Sequence, residues 1–132
     1  MKIGQLAQRA EVNIDTVRYY EREGLLPKPE RLSSGYRIYG EGDVKRLRFV
    51  RRAKALGFTL PEIRELLELS SSRDDDMAAM KSAALDKIVD IKARIAELER
   101  MRVALEGLTE SCPGHGALDH CPILNALSED VQ

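Results

Sequence analysis

Ile3-Gly4-Gln5-Leu6-Ala7-Gln8-Arg9-Ala10-Glu11-Val12-Asn13-Ile14-Asp15-Thr16-Val17-Arg18-Tyr19-Tyr20-Glu21-Arg22-Glu23-Gly24 is the stretch on which the fold turns. Ile3, Leu6, Ala7 and Ala10 recur at helical spacing and mark one apolar face. Val12-Asn13 breaks that helix. A second begins around Thr16 and runs through Arg22, with Gly24 placed to close it. Two short helices across so tight a break form a helix-turn-helix pattern, whose second helix characteristically enters the major groove of a duplex. Beyond it, Pro27 and Pro29 force extended and turn geometry, Ser33-Ser34-Gly35 reads as a turn, and Tyr36-Arg37-Ile38-Tyr39 alternates as a short strand. A small loop with flanking strands beside such a helix pair reads as a wing. Arg31 and Arg37 at its borders suit phosphates, Tyr36 suits a sugar contact or a brace for the wing, and Tyr39 suits the small core.

Charge supports a polyanion partner for this end of the chain. The 132 residues carry a net charge of only -1, but residues 1–64 hold 14 Lys/Arg against 8 Asp/Glu, whereas residues 65–132 hold 7 against 14. The first half therefore attracts a polyanion and the second is repelled by it. The sequence contains no run of apolar residues long enough for a membrane span and no signal peptide, so a cytoplasmic protein with reduced thiols is expected. Two cysteines are too few for a disulfide scaffold. No nucleophile stands with a base and an orienting group in any catalytic motif, so an enzyme is not expected.

Two further helices follow the wing. Asp43 is a candidate N-cap for the first, with Val44, Leu47 and Val50 on its buried face and Gly57 after its end. Thr59-Leu60-Pro61-Glu62 opens the second as a capping box. Arg46, Arg48, Arg51, Arg52 and Lys54 surround the first helix, too many to face one groove. Asp74-Asp75-Asp76 reads as capping and solvation before the next helix. From Met77 onward, Ala84, Ile91, Leu98 and Leu105 recur every seven residues, flanked by Met80, Ile88, Ile95, Met101 and Leu108. This is a coiled-coil seam, and self-pairing into a homodimer would present two reading heads to a palindromic site.

All the cysteines and histidines lie between Cys112 and Cys121: Cys112-Pro113-Gly114-His115-Gly116-Ala117-Leu118-Asp119-His120-Cys121. Soft and borderline ligands in one loop suit Cu(I), Ag(I), Zn(II), Cd(II) or Hg(II) and disfavour Ca(II) and Mg(II). A reversible Cys112–Cys121 disulfide, a structural metal, or a pair of inert thiols are the other readings of the loop. The expected organisation is a winged helix-turn-helix head over residues 1–69, a connector over 70–76, a dimerisation helix over 77–109, and a metal loop with a short terminal helix over 110–132.

Taken together, these stretches closely resemble the metal-responsive branch of the MerR family of transcription regulators. The resemblance rests on Ile3-Gly4-Gln5-Leu6-Ala7, Thr16-Val17-Arg18-Tyr19-Tyr20-Glu21, Gly24-Leu25-Leu26, Gly35-Tyr36-Arg37-Ile38-Tyr39, Leu56-Gly57-Phe58, Ile63-Arg64-Glu65-Leu66-Leu67, Cys112-Pro113-Gly114 and Cys121-Pro122-Ile123-Leu124. It implies a mainly α fold with a winged head, a long helix pairing in an antiparallel coiled coil, and a metal bound near the subunit interface. It puts Arg18 and Tyr19 on the DNA-reading helix and Tyr36 and Arg37 on the wing. It further implies promoter DNA as partner, distorted on metal binding so that RNA polymerase can engage. Divalent-ion sensors of the family commonly place a third cysteine at the start of the long helix, where this chain has Asp76-Met77-Ala78. Two thiolates beside an apolar Met77 favour a linear Cu(I) or Ag(I) site. Zn(II) or Cd(II), using His115 or His120 with Cys112 and Cys121, is the alternative, followed by a thiol redox regulator and a metal carrier that binds no DNA.

Overall fold

A computed structural model describes residues 1–27, 30–31, 37–71 and 77–129, with residues 30, 31 and 37 described by their backbone alone. The chain divides into two compact units, Met1–Lys87 and Ile88–Gln132.

In the first unit, α1 (Ile3–Ala10) and α2 (Ile14–Arg22) form the helix pair. Between them Glu11 takes the left-handed conformation at φ 58°. That conformation is unfavourable for a residue with a Cβ. It is held by the Val12 N–H donating to the Ala7 carbonyl at 3.0 Å, and by Arg51 Nη1, 2.6 Å from the Glu11 carboxylate. Asn13 caps α2, its Oδ1 accepting from the Thr16 N–H at 2.7 Å. Strands β1 (Glu30–Arg31) and β2 (Arg37–Ile38) pair antiparallel, Glu30 opposite Ile38 and Arg31 opposite Arg37. The expected turn at Ser33-Ser34-Gly35 lies outside the described residues, as does the acidic run at Asp74–Asp76.

Helix α3 spans Glu41–Ala55 and α4 spans Leu60–Ser70. The N-cap of α3 is Gly40, not Asp43. Asp43 sits three residues into the helix, where its Oδ2 accepts from the Gly40 N–H at 2.9 Å. A carboxylate there reaches back to the first orphan donor as well as an N-cap side chain reaches forward. Thr59 and Glu62 form the expected capping box on α4. Leu6, Val17, Leu25, Leu47, Val50 and Ile63 are wholly buried where α1 to α4 meet, and Tyr39 joins them at 2 % exposure.

Helix α5 runs Met77–Ser111, two residues beyond the expected end. Its first turns belong to the head as packing: Met80 and Ala83 lie against the core, and Lys87 is buried, its Nζ 2.7 Å from Glu62 Oε1 and 5.5 Å from the centre of the Phe58 ring. The compact head therefore reaches seventeen residues past α4, because an apolar face on α4 needs cover that α5 supplies.

In the second unit, Ile88, Ile91, Ile95, Leu98 and Leu105 remain 41–60 % exposed along α5. A short 3-10 turn (Leu118–His120) and α6 (Pro122–Ser128) complete the chain. No helix among the described residues is long and apolar enough to cross a membrane.

Lys87, and next the Thr59 amide, pull the Glu62 carboxyl down to about 2. A carboxylate whose folded pKa is depressed stabilises the fold above its unfolded pKa of about 4.3, and that contribution is lost as pH falls toward the folded value. Glu62→Gln keeps an acceptor for Thr59 and leaves the buried Lys87 ammonium without this anion. Thermal unfolding at matched protein concentration should show the variant about 4–8 °C less stable at pH 7, for about 1 kcal/mol after discounting for the partial exposure of Glu62. The two proteins should converge by pH 2.

Candidate DNA-reading surface and thiol site

Helix α2 turns Val17 and Tyr20 into the core and leaves Asp15, Arg18, Tyr19 and Arg22 on its outer side. Arg18 is exposed, and Tyr19 is 39 % exposed with its ring 5.7 Å from that of Tyr20. The outer side thus offers a guanidinium fork and a phenol, both suited to base edges and phosphates. Of the two wing residues expected to contact DNA, Tyr36 lies outside the described residues and Arg37 is described only by its backbone. Tyr39 is a core residue whose hydroxyl donates to the Glu21 carboxylate.

Several basic residues that swell the positive count of the head hold it together instead. Arg46 Nε donates to the Leu25 carbonyl at 2.6 Å and Arg48 Nη2 to the Arg9 carbonyl at 3.2 Å. Arg64 donates to the Glu23 carbonyl, and Arg9 forms a two-point pair with Glu41. That pairing lowers the Glu41 pKa and raises that of Arg9. Charge counting detects such residues but cannot separate them from DNA ligands, because their role is set by which carbonyls lie within reach.

The thiol site is built within a single loop. Helix α5 ends at Ser111, and Cys112 follows as its N–H donates to the Thr109 carbonyl at 3.2 Å. Gly114 and Gly116 turn the chain at φ 80° and 111°, a region that residues with a Cβ avoid. The 3-10 turn then delivers Cys121, which precedes Pro122 at the head of α6. The two sulfurs lie 4.0 Å apart, both residues are partly buried, and both thiols are free. Because Pro122 has no N–H, the first amides of α6 facing Cys121 are those of Ile123 and Leu124. They hold its thiol below the ordinary cysteine pKa, the Leu124 amide most strongly, against the opposing effect of burial, with the Ile123 amide and the Cys112 thiol adding to the lowering.

The histidines are not gathered with the sulfurs. His115 is exposed, its Nδ1 3.2 Å from the Pro113 carbonyl oxygen. His120 is 85 % exposed and 3.9 Å from Asp119 Oδ2. Among the described residues no group of three or more His, Cys, Asp or Glu converges on one point. Met77, at the start of α5, is 83 % exposed.

With metal–sulfur bonds of about 2.3 Å or longer, sulfurs 4.0 Å apart subtend an angle of about 120° or less. Two such bonds in a straight line would span about 4.6 Å.

Residues 1–70 match the family described as MerR HTH family regulatory protein, and residues 44–108 match the one described as MerR, DNA binding. The mercuric resistance operon regulatory protein of Bacillus cereus is 42 % identical over 96 % of this chain and 96 % of its own. A transcription regulator from Ralstonia metallidurans, solved in complex with lead(II), is 36 % identical over 97 % of this chain and 99 % of that one, with a TM-score of 0.86. A dual-function regulator from Bacillus megaterium, solved with mercury(II), is 37 % identical over 98 % of this chain and 100 % of that one, with a TM-score of 0.76. The chain belongs to the MerR family of transcription regulators, which are DNA-binding proteins and not enzymes. The metals named in these relatives, mercury and lead, overturn the assignment to a copper/silver or zinc/cadmium branch.

Two measurements check these surfaces. In a Cys112→Ser chain the α6 amides remain, so the rate of Cys121 alkylation by iodoacetamide should rise with pH about a midpoint below that of a free cysteine. A midpoint at or above the free value would contradict the amide contacts. Arg18→Ala should weaken duplex binding by about 1–3 kcal/mol if it reads a base, or flatten the salt dependence by about one ion if it holds a phosphate. Unchanged affinity at every salt concentration would remove Arg18 from the interface.

Proposed function

From its place in the MerR family, we propose that this protein is a homodimeric transcription regulator whose effector is a large thiophilic divalent ion of the mercury(II) or lead(II) kind, read by Cys112 and Cys121. The observation that carries this is the sulfur pair held 4.0 Å apart at the end of the long helix. A large, polarisable ion binds soft thiolates strongly without nitrogen or oxygen donors to complete its shell. A smaller tetrahedral ion would call for two further donors, which the chain does not gather among its described residues. The names of the similar proteins support the same ion class.

The protein's own contribution to sensing is positional. The lowered pKa of Cys121 makes a thiolate more available at neutral pH, and the glycine turns bring Cys112 to it. Chelation ties the end of α5 to the start of α6. A local change of that kind alters DNA only if the two dimer geometries differ in free energy by what the ion supplies. The DNA-side reading is a palindromic promoter gripped by the α2 helices of two heads, with Arg18 and Tyr19 at the bases or phosphates and the wing beside them. RNA polymerase then engages the distorted promoter.

Run-off transcription with purified polymerase tests this. Mercury(II) or lead(II) should raise transcript yield, with ultraviolet thiolate-to-metal absorption saturating at one ion per cysteine pair. Cys112→Ser and Cys121→Ser should each abolish the response while shifting operator affinity by less than tenfold, about 1.4 kcal/mol. Retained induction in both variants would sink the assignment. Induction by an oxidant without metal would replace it with a disulfide switch.

A further inference from the structure

Taking Ile88, Ile95 and their seven-residue successors as one edge of the α5 seam, and Ala84, Ile91, Leu98 and Leu105 as the other, the position after Ile95 is Arg102. The apolar Met101 lies one residue off the line. Arg102 sits in the middle of the stripe, its side chain 55 % exposed. It is clamped on its own helix by Glu99 and by Glu106, whose Oε1 is 2.5 Å from Arg102 Nη1. Helical pairs of this kind contribute only tenths of a kcal/mol on a surface. Inside a seam, an ionic group instead restricts which pairings are tolerated.

Resting on the homodimer reading above, we propose that Arg102 sets the register of an antiparallel α5 pair by lying across from Ala84 of the partner subunit. The pairing rule decides it. In an antiparallel pair the two seam edges face each other, so partners across the two-fold have residue numbers with a constant sum. If Ile88 faces Leu98 of the partner subunit, then Ile91 faces Ile95 of the partner subunit and Arg102 faces Ala84 of the partner subunit. The layers between them are apolar, Arg102 meets a small side chain, and Lys81, the other charged residue on this edge, faces Leu105 of the partner subunit near the end of the seam. A slide of one heptad in one direction drives Arg102 against Ile91 of the partner subunit, burying a charge on a β-branched side chain. A slide of one heptad in the other direction moves Lys81 inward, from Leu105 to Leu98 of the partner subunit, and leaves Leu105 with no facing layer on α5. A parallel pair stacks Arg102 on Arg102.

The surroundings of Ala84 suit the cluster that would reach it. Ala84 and Met80 line a groove of about 530 Å³ on the head, floored by Phe49 and edged by Lys45, Arg48 and Arg52. Glu99, Arg102 and Glu106 together carry one net negative charge, opposite in sign to that rim. A second copy of this chain therefore fits the groove by size of side chain and by charge.

A spin label on Asp86→Cys, in a chain carrying Cys112→Ser and Cys121→Ser, measures the register by electron–electron distance. The proposed pairing puts the two labelled positions about 21 Å apart along the axis, and the slide that Arg102 blocks puts them about 31 Å apart, from a rise of about 1.5 Å per residue. The parent should give the shorter distance alone. Arg102→Leu should keep or tighten the dimer and add the population about 10 Å longer, while Arg102→Lys restores the single distance. A single unchanged distance in Arg102→Leu would overturn the role of Arg102, and a single longer distance in the parent would overturn the register. Sedimentation of the parent as a monomer at micromolar concentration would overturn the homodimer reading itself, and this inference with it.

Discussion

Along α5, Ile88, Ile91, Ile95, Leu98 and Leu105 form an apolar row that the single chain leaves about half exposed, and the rest of the architecture hangs from the need to cover it. Fully burying one such side chain is worth about 1.5–3 kcal/mol, so covering the exposed half of five is worth about 4–8 kcal/mol, on the scale of a typical domain's whole stability. One end of the same helix completes the head, through Met80, Ala83 and Lys87. The other end carries Cys112. One helix, α5, thus runs from the packing of the head to the residue before Cys112.

The head shows how a basic surface divides its labour. Its positive excess is real, but Arg46, Arg48, Arg51 and Arg64 satisfy backbone carbonyls or a strained turn. What remains facing outward on α2 is narrower: Arg18, Tyr19 and Arg22. These guanidinium groups tie α3 and α4 to α1 and to the segments on either side of α2, since a five-donor fork can join two elements where a shorter residue could not. The Glu62–Lys87 contact does the same between α4 and α5, at the point where the head ends.

In the loop, chemistry and geometry converge from neighbouring residues. Pro122 strips one amide from the start of α6, leaving those of Ile123 and Leu124 to favour the Cys121 thiolate. Gly114 and Gly116 permit the reversal that brings Cys112 near. The intervening histidines share the loop yet stay in solvent, His115 beside the Pro113 carbonyl and His120 beside Asp119.

Much of this was legible from residue order. Helical spacing marks α1 to α5, Thr59 and Glu62 mark a cap, and the isolation of Cys112 and Cys121 marks a site, because local periodicity and turn chemistry are properties of neighbouring residues. Other features were not. Asp43 caps from inside its helix. Arg9, Arg46, Arg48, Arg51 and Arg64 are structural, and the head extends to Lys87. The two sulfurs come to 4.0 Å, and both histidines of the loop are exposed. Each of these depends on distances between residues far apart in the chain or on the path of a loop. Sequence by itself determined which side chains are available and the helical faces that carry them. Only the tertiary structure decided which carbonyl, carboxylate or sulfur each one meets, because those meetings are set by packing.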